Sequence, residues 1–369
     1  MKYLMIFFSL FIFLFLFSGT PLGAPLVSTV SGSLLDGATL TIEGQDFGIK
    51  TTPTPRYYTD LEDETTGAIP TGWLVSAAGV VVSEARAWSG GKSLEATFLG
   101  VDDFSQIRRD IGETKTLFFS ANIYFEKNDT CAGQWKTWRI TSSPGAYSIN
   151  EEITTTSFIN DHWFYHDPDR WGNAASSIRY DGGTIGATIS APSDMFLNNQ
   201  WQRIEQFVKG SSAASIADGY MWTRRVGRAG DLQSESNFIS YDSDDKNWRY
   251  FMIGQAWGQF SDCATGDAKA YYDNIYIDDT QARVEIGDAA VWANCTHREI
   301  QIPTAWESDG TEITVTLSQG SLSRIGGNYL FVVDADGTTS AGFLLPGAEV
   351  GIGGTKEISA GGTKTITFH

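Results

Sequence analysis

Val27-Ser28-Thr29-Val30-Ser31-Gly32 and, beyond an Asp36-Gly37 turn, Ala38-Thr39-Leu40-Thr41-Ile42-Glu43-Gly44-Gln45-Asp46-Phe47-Gly48 decide the fold. Both runs alternate apolar and polar residues as half-buried strands do. A two-stranded ribbon is at best marginally stable in water, and nothing immediately after Gly48 completes a sheet of that kind. The missing partners come more than two hundred residues later, in Ala282-Arg283-Val284-Glu285-Ile286, Glu312-Ile313-Thr314-Val315-Thr316-Leu317 and Tyr329-Leu330-Phe331-Val332-Val333. One sandwich is therefore interrupted by another module, and ligand chemistry is expected in the interrupting part.

Working outward, residues 25–50 and 280–346 make the outer module, about the size of an immunoglobulin-like sandwich. Residues 51–279 make the insert. Its short alternating runs, Leu117–Phe125, Trp135–Ile140, Trp201–Lys209, Gly219–Val226, Tyr250–Trp257 and Ala270–Ile277, are punctuated by Gly, Asp, Ser and Asn. That pattern predicts an antiparallel all-β domain without helices. Residues 347–369, rich in Gly and Thr, read as a tail or a final hairpin.

The ends and the composition set the compartment and exclude one class of partner. Lys2, an apolar run from Tyr3 to Phe17 and a small-residue stretch ending at Ala24 predict a secretory signal peptide over residues 1–24. The alternative is an uncleaved anchor, but the run falls short of the roughly 20 apolar residues of a spanning helix. The expectation is a secreted or cell-surface protein with no membrane insertion after cleavage. A net charge of −18 argues against a nucleic-acid partner. It also weighs against polyanionic sugars, unless a local basic cleft offsets it. Of three cysteines, Cys131 and Cys263 both fall in the insert and are the expected disulfide, leaving Cys295 over.

Two resemblances follow from particular residues. Ser31-Gly32, the run Glu43–Gly48, Trp306, Glu312–Leu317 and Asp334-Ala335-Asp336-Gly337 resemble an IPT/TIG domain, a family of spacers and interaction modules; the resemblance implies no catalysis and allows a protein partner. In the insert, Tyr58–Glu62, Ala87-Trp88-Ser89-Gly90-Gly91-Lys92-Ser93-Leu94, Trp201–Glu205, Asp218-Gly219 and Tyr271–Ile277 resemble a concanavalin A-like lectin/glucanase jelly roll. The fold class these imply is all-β: a concanavalin A-like jelly roll inserted into a split immunoglobulin-like β-sandwich. The same resemblance implies a calcium ion where first and last strands meet, with Asp60, Glu62 and Asp273 as its ligands. No organic cofactor is implied.

Twelve Trp, 14 Tyr and 22 Phe make the chain rich in rings that can stack on the apolar faces of sugars. Trp135, Trp138, Trp163, Trp171, Trp222 and Trp257 are the candidates for a glycan surface, and core packing is the competing account of each. Strand parity places Trp135, Thr137 and Arg139 on one face and Trp138 and Ile140 on the other. With Ile204 and Val208 turned to the core, Arg203, Glu205 and Phe207 face away, as sugar contacts or as part of a cross-strand ion pair. Glycosidases need two carboxylates converging on the scissile bond, and neither Glu-x-Asp-x-Glu nor Glu-x-Asp-x-x-Glu occurs. A polysaccharide lyase needs a base and a group that neutralises a uronate; His162, His166, Arg139 and Tyr271 are candidates, with Gln255 alongside. The sequence thus favours recognition of a polysaccharide or glycan without catalysis, with a carbohydrate-active enzyme as the alternative and a structural assembly protein third.

Overall fold

A computed structural model describes residues 23–75, 78–99, 105–127, 132–141, 159–167, 170–171, 175–180, 184–190, 197–227, 233–240, 247–255, 259–261 and 264–347. The leader, Cys131, Cys263, Trp257 and the tail beyond Gly347 lie outside these residues. Among the described residues the chain is all-β and antiparallel, apart from one 3-10 turn at Trp292–Asn294 and one isolated parallel bridge. No described helix is long and apolar enough to cross a membrane.

The ends of the chain share a sheet. Its order is Leu26–Gly32, Thr39–Gln45, Glu312–Thr316, Arg298–Trp306, Arg283–Gly287, Tyr329–Val333 and Phe343–Leu344. Leu40 sits opposite Val315 and Ile42 opposite Ile313. Strand Arg298–Trp306 pairs with Arg283–Gly287 through its first half and with Glu312–Thr316 through its second. The register slips between Pro303 and Ala305, a position that tolerates a residue without an N–H. The sheet encloses Leu40, Ile42, Phe47, Val284, Ile286, Ile313, Val315, Leu330 and Val332. Gly44 is required there, since a Cβ would lie 1.9 Å from the Leu26 carbonyl oxygen and 2.5 Å from the Phe47 ring.

The described strands between Tyr57 and Asp278 form two further sheets. One, of nine strands, runs Thr184–Ser190, Ala175–Tyr180, Ile159–Asp167, Ala132–Thr141, Trp248–Gln255, Ser105–Thr114 and Leu74–Val75, with Arg170–Trp171 and Gln259–Ser261 as short additions. The other, of eight, runs Gln233–Phe238, Gly219–Arg225, Trp201–Lys209, Thr116–Lys127, Ala268–Asp278, Ser93–Thr97 and Val80–Ser83, with Tyr57–Thr59 added on Ala268–Asp278. They pack face to face over one core: Ile107, Trp138, Ile140, Phe251 and Ile253 from the first meet Phe119, Ile123, Ile204, Val208 and Tyr272 from the second. Alternation along each strand then fixes which side chains point outward.

The outward face of the eight-stranded sheet lies against the sheet shared by the termini. Phe118, Phe207, Trp222 and Tyr276 close on Ile300 there. Beside them Arg203, Arg224, Arg283 and Arg298 are paired with Glu205 and Glu285. Where the chain passes between the two layers, Lys50 is buried in an ion pair with Asp278 and donates to the Ala282 carbonyl at 3.2 Å.

Candidate functional site

The outward face of the nine-stranded sheet is the candidate site. Because Ile107 and Ile253 point to the core, Gln106, Arg108 and Met252 point the other way, and by the same rule Trp138 and Ile140 leave Thr137, Arg139 and Thr141 outward. The register aligns Arg108, Met252, Arg139 and Asp161 as one row across four strands. Yet Gln106, Thr137, Arg139, Thr141 and Met252 are each no more than 1% exposed. This is a buried polar layer on the far side of a sheet from its core.

Gln106 stands out within it. Neither its amide oxygen nor its amide nitrogen has a hydrogen-bond partner, although both are buried. A buried polar atom left unpaired costs about 1–3 kcal/mol, and most buried polar groups avoid that cost. Unpaired donor and acceptor on one side chain, on the face that also carries Arg108 and Arg139, suit a ligand with hydroxyls and carboxylates.

The candidates named from sequence divide between the two sheets. On the nine-stranded sheet, His162 is in register with Trp138, Trp163 with Lys136, His166 with Gly133 and Trp171, Trp135 with Phe164, and Gln255 with Ser105. Arg139 joins them there. Trp138, by contrast, is a core residue whose indole donates to Gln206 Oε1 at 2.7 Å. It is corrected from a sugar contact to packing.

Arg203, Glu205 and Trp222 are also corrected. Their strand parity is as expected, with Ile204 and Val208 inward, but the outward face meets protein. Glu205 sits directly opposite Arg224 and pairs with it, which realises the ion-pair alternative. Burial works to raise the Glu205 carboxyl, and Arg224 and Arg203 together outweigh it and bring it down to about 2. Trp222 is 4% exposed and donates to Gln281 Oε1 at 3.0 Å.

Tyr271 leaves the proposed lyase set. It lies on strand Ala268–Asp278 of the eight-stranded sheet, opposite Tyr124, with its hydroxyl on Glu126 Oε1 at 3.1 Å. Burial, then Glu95 and Glu126, push its phenol well above the ordinary range. A phenol so placed is not a base near neutral pH, and the core of the sandwich separates it from Arg139.

The calcium ligands do not fit a calcium ion. Asp273 accepts from the Trp88 and Ser89 amides through one oxygen, at 2.8 and 3.1 Å, and from the Asn274 amide through the other, at 2.7 Å. Glu62 Oε1 takes the Gly91 and Lys92 amides, both at 2.9 Å, and Asp60 accepts from the Glu62 amide at 3.2 Å. Lys92 Nζ lies 2.7 Å from the Glu62 carbonyl oxygen and 2.8 Å from that of Glu64. An ammonium thus occupies carbonyls of the kind a hard cation takes. Among the described residues no three His, Cys, Asp or Glu side chains gather as a metal site. Burial, opposed by those amides, pushes Asp273 up to about 7.

Sequence reasoning missed Gln106 and Arg108. The signal was present in Ser105–Asp110, where Ile107 inward forces both outward. Burial of that outward face was not readable, because it depends on what covers the sheet.

No family model matches the sequence, and no curated protein does. Among solved structures, the chain is similar to alginate lyase Aly36B with a TM-score of 0.43 and 13% identity, covering 62% of this chain and 98% of that one. Alginate lyase vAL-1 from Chlorella virus gives 0.41 and 15% over 57% and 94%. A legume lectin-like domain from Entamoeba histolytica gives 0.36 and 5% over 56% and 90%.

Proposed function

We propose that this chain is an exported carbohydrate-binding protein, lectin-like or adhesin-type, that holds a polysaccharide or glycan on the outward face of its nine-stranded sheet. In this reading the two-sheet sandwich is a concanavalin A-like jelly roll. The sheet shared by the termini is an immunoglobulin-like module of IPT type that carries it, and residues 1–24 direct export. The observation that carries the proposal is the buried Gln106 amide, unpaired at both atoms, on the sheet face that Arg108 and Arg139 also occupy. Hydroxyls of a sugar supply both the donor and the acceptor that this amide lacks, and the arginines suit a carboxylate.

A second reading, a polysaccharide lyase on the same face, has one observation in its favour. The strand carrying His166 pairs with the strand of Arg139, and Asp161 is opposite Arg139 itself, whereas the register sets His162 opposite the core residue Trp138. A base and a carboxylate-neutralising group on neighbouring strands are what β-elimination from a uronate needs.

The test is a panel of neutral and acidic polysaccharides offered to the purified protein, with binding and products read together. Retention on a polysaccharide without products is the expected result. Ultraviolet-absorbing unsaturated products, lost in His166→Ala, would replace this reading with the lyase. No binding and no products would overturn both.

A further inference from the structure

The seam between the eight-stranded sheet and the sheet of the termini contains a cavity of about 200 Å³. It lies on the opposite side of the sandwich from Gln106. Trp88, Asn122, Trp201, Arg203, Arg225 and Arg298 line it. Each wall comes from a different part of the fold. Trp88 belongs to the turn held by Asp273, Asn122 to strand Thr116–Lys127, Trp201 and Arg203 to one strand of the sandwich, and Arg298 to the strand that bridges the two halves of the terminal sheet.

Three properties of this cavity point to one chemistry. The first is aromatic. Trp88 and Trp201 are half-buried, with ring centroids 6.3 Å apart and planes inclined at 61°. Tyr124 supports Trp201 from 5.6 Å and His297 supports Trp88 from 5.1 Å, both edge-on. Two indoles held at an angle by their neighbours offer apolar surface to a small ring.

The second is charge. The network just beneath sets Arg203, Arg224, Arg283 and Arg298 against Glu205 and Glu285. That leaves two positive charges in excess, or one when Glu299 is counted. Glu299 is itself occupied by the Trp88 indole at 2.9 Å and by the His297 ring at 2.7 Å. Among the described residues no carboxylate lines the cavity, although the chain as a whole carries −18. Buried charge in excess calls for a counter-charge.

The third is an unmet acceptor. Asn122 is 2% exposed and its Oδ1 has no hydrogen-bond donor.

We infer that this seam cavity is a second binding site, for a single carboxylate-bearing sugar unit such as a uronic acid. The sugar ring lies against Trp88 and Trp201, its carboxylate turns toward Arg298 and Arg225, and a hydroxyl donates to Asn122 Oδ1. The volume is below the roughly 300–1,000 Å³ of pockets for drug-sized ligands, so one ring fills it. The inference stands on residues separate from those of the sheet-face reading and does not depend on it.

The test is an NMR titration of the purified protein with glucuronate, galacturonate and mannuronate, each alone, and with glucose as the neutral control. Two variants address the cavity. Trp201→Ala removes a half-buried ring, and Thr296→Trp places bulk into the cavity from an exposed lining position. At least one uronate is expected to bind saturably, with glucose tenfold weaker or more. Trp201→Ala should weaken the uronate tenfold or more, and Thr296→Trp should abolish binding. A thermal melt of each variant confirms that it is folded. Absence of saturable uronate binding overturns the inference, as does binding untouched by both cavity variants. Equal affinity for glucose overturns the assignment of charge.

Discussion

Burial sets the ionisable residues of this protein in opposite directions, and the sign of each shift follows from its neighbours. Glu205 and Glu285 are buried, yet arginines on several sides hold both below the ordinary carboxylate range. Asp273 and Asp278 are buried with weaker compensation. Burial dominates, opposed by backbone amides at Asp273 and by Lys50 at Asp278, and they rise to about 7 and about 6. A carboxyl held low in the folded state stabilises it above the unfolded pKa, and that contribution is lost as pH falls through the folded value. A carboxyl held high stabilises below the unfolded pKa and loses its contribution as pH rises through the folded value. Glu205 therefore sets an acid limb that runs from 4.5 down to about 2, and Asp273 an upper limb that runs from 3.8 up to about 7. Thermal melts across pH are expected to peak at about pH 4–5, below the usual range of roughly 5–8. Asp273→Asn, which mimics the neutral form, should flatten the upper limb. A maximum that stays at neutral pH, or an upper limb unchanged in Asp273→Asn, would contradict this account.

At the scale of elements, strand identity was legible because alternation and turn residues are local properties. Trp201–Lys209 and Tyr329–Val333 have the bounds expected from sequence, and Leu117–Phe125 and Ala270–Ile277 extend by a residue or two at each end. Parity was legible too: Ile204 and Val208 turn inward, and Arg203, Glu205 and Phe207 turn outward. What covers an outward face was not, because that is decided by elements hundreds of residues away. Arg203 and Glu205 looked like sugar contacts for want of knowing that Glu285 and Arg298 would meet them. Trp138 looked ambiguous because ring chemistry alone does not reveal which way a strand faces. The Trp88–Lys92 turn shows the limit of motif reading. Its acidic neighbours suggested calcium, whereas their carboxylates hold backbone amides and Lys92 holds the carbonyls. EDTA and added calcium are accordingly expected to leave the melting temperature unchanged. Lys92→Met, which strands two carbonyls, should cost about 1–3 kcal/mol in urea denaturation. A calcium-dependent rise in melting temperature would contradict the reading of this turn.

The whole molecule joins two sheet systems through a seam that is both apolar and charged, so the position of each outward face has consequences. One face of the sandwich is used up by the sheet of the termini. The other carries the buried polar layer of Gln106, Thr137, Arg139 and Thr141. Within it the Gln106 amide is unpaired at both atoms, and natural proteins retain an unpaired group of that kind where function requires it, at a cost in stability. That trade gives the most direct measurement of the central claim: wild type and Gln106→Leu compared for polysaccharide affinity and for urea stability in the same buffer. Leucine has a similar volume and no polar atoms. The expected result is a tenfold or greater loss of affinity together with a gain of about 1–3 kcal/mol in stability. Unchanged affinity in a folded Gln106→Leu protein would contradict a glycan site on this face.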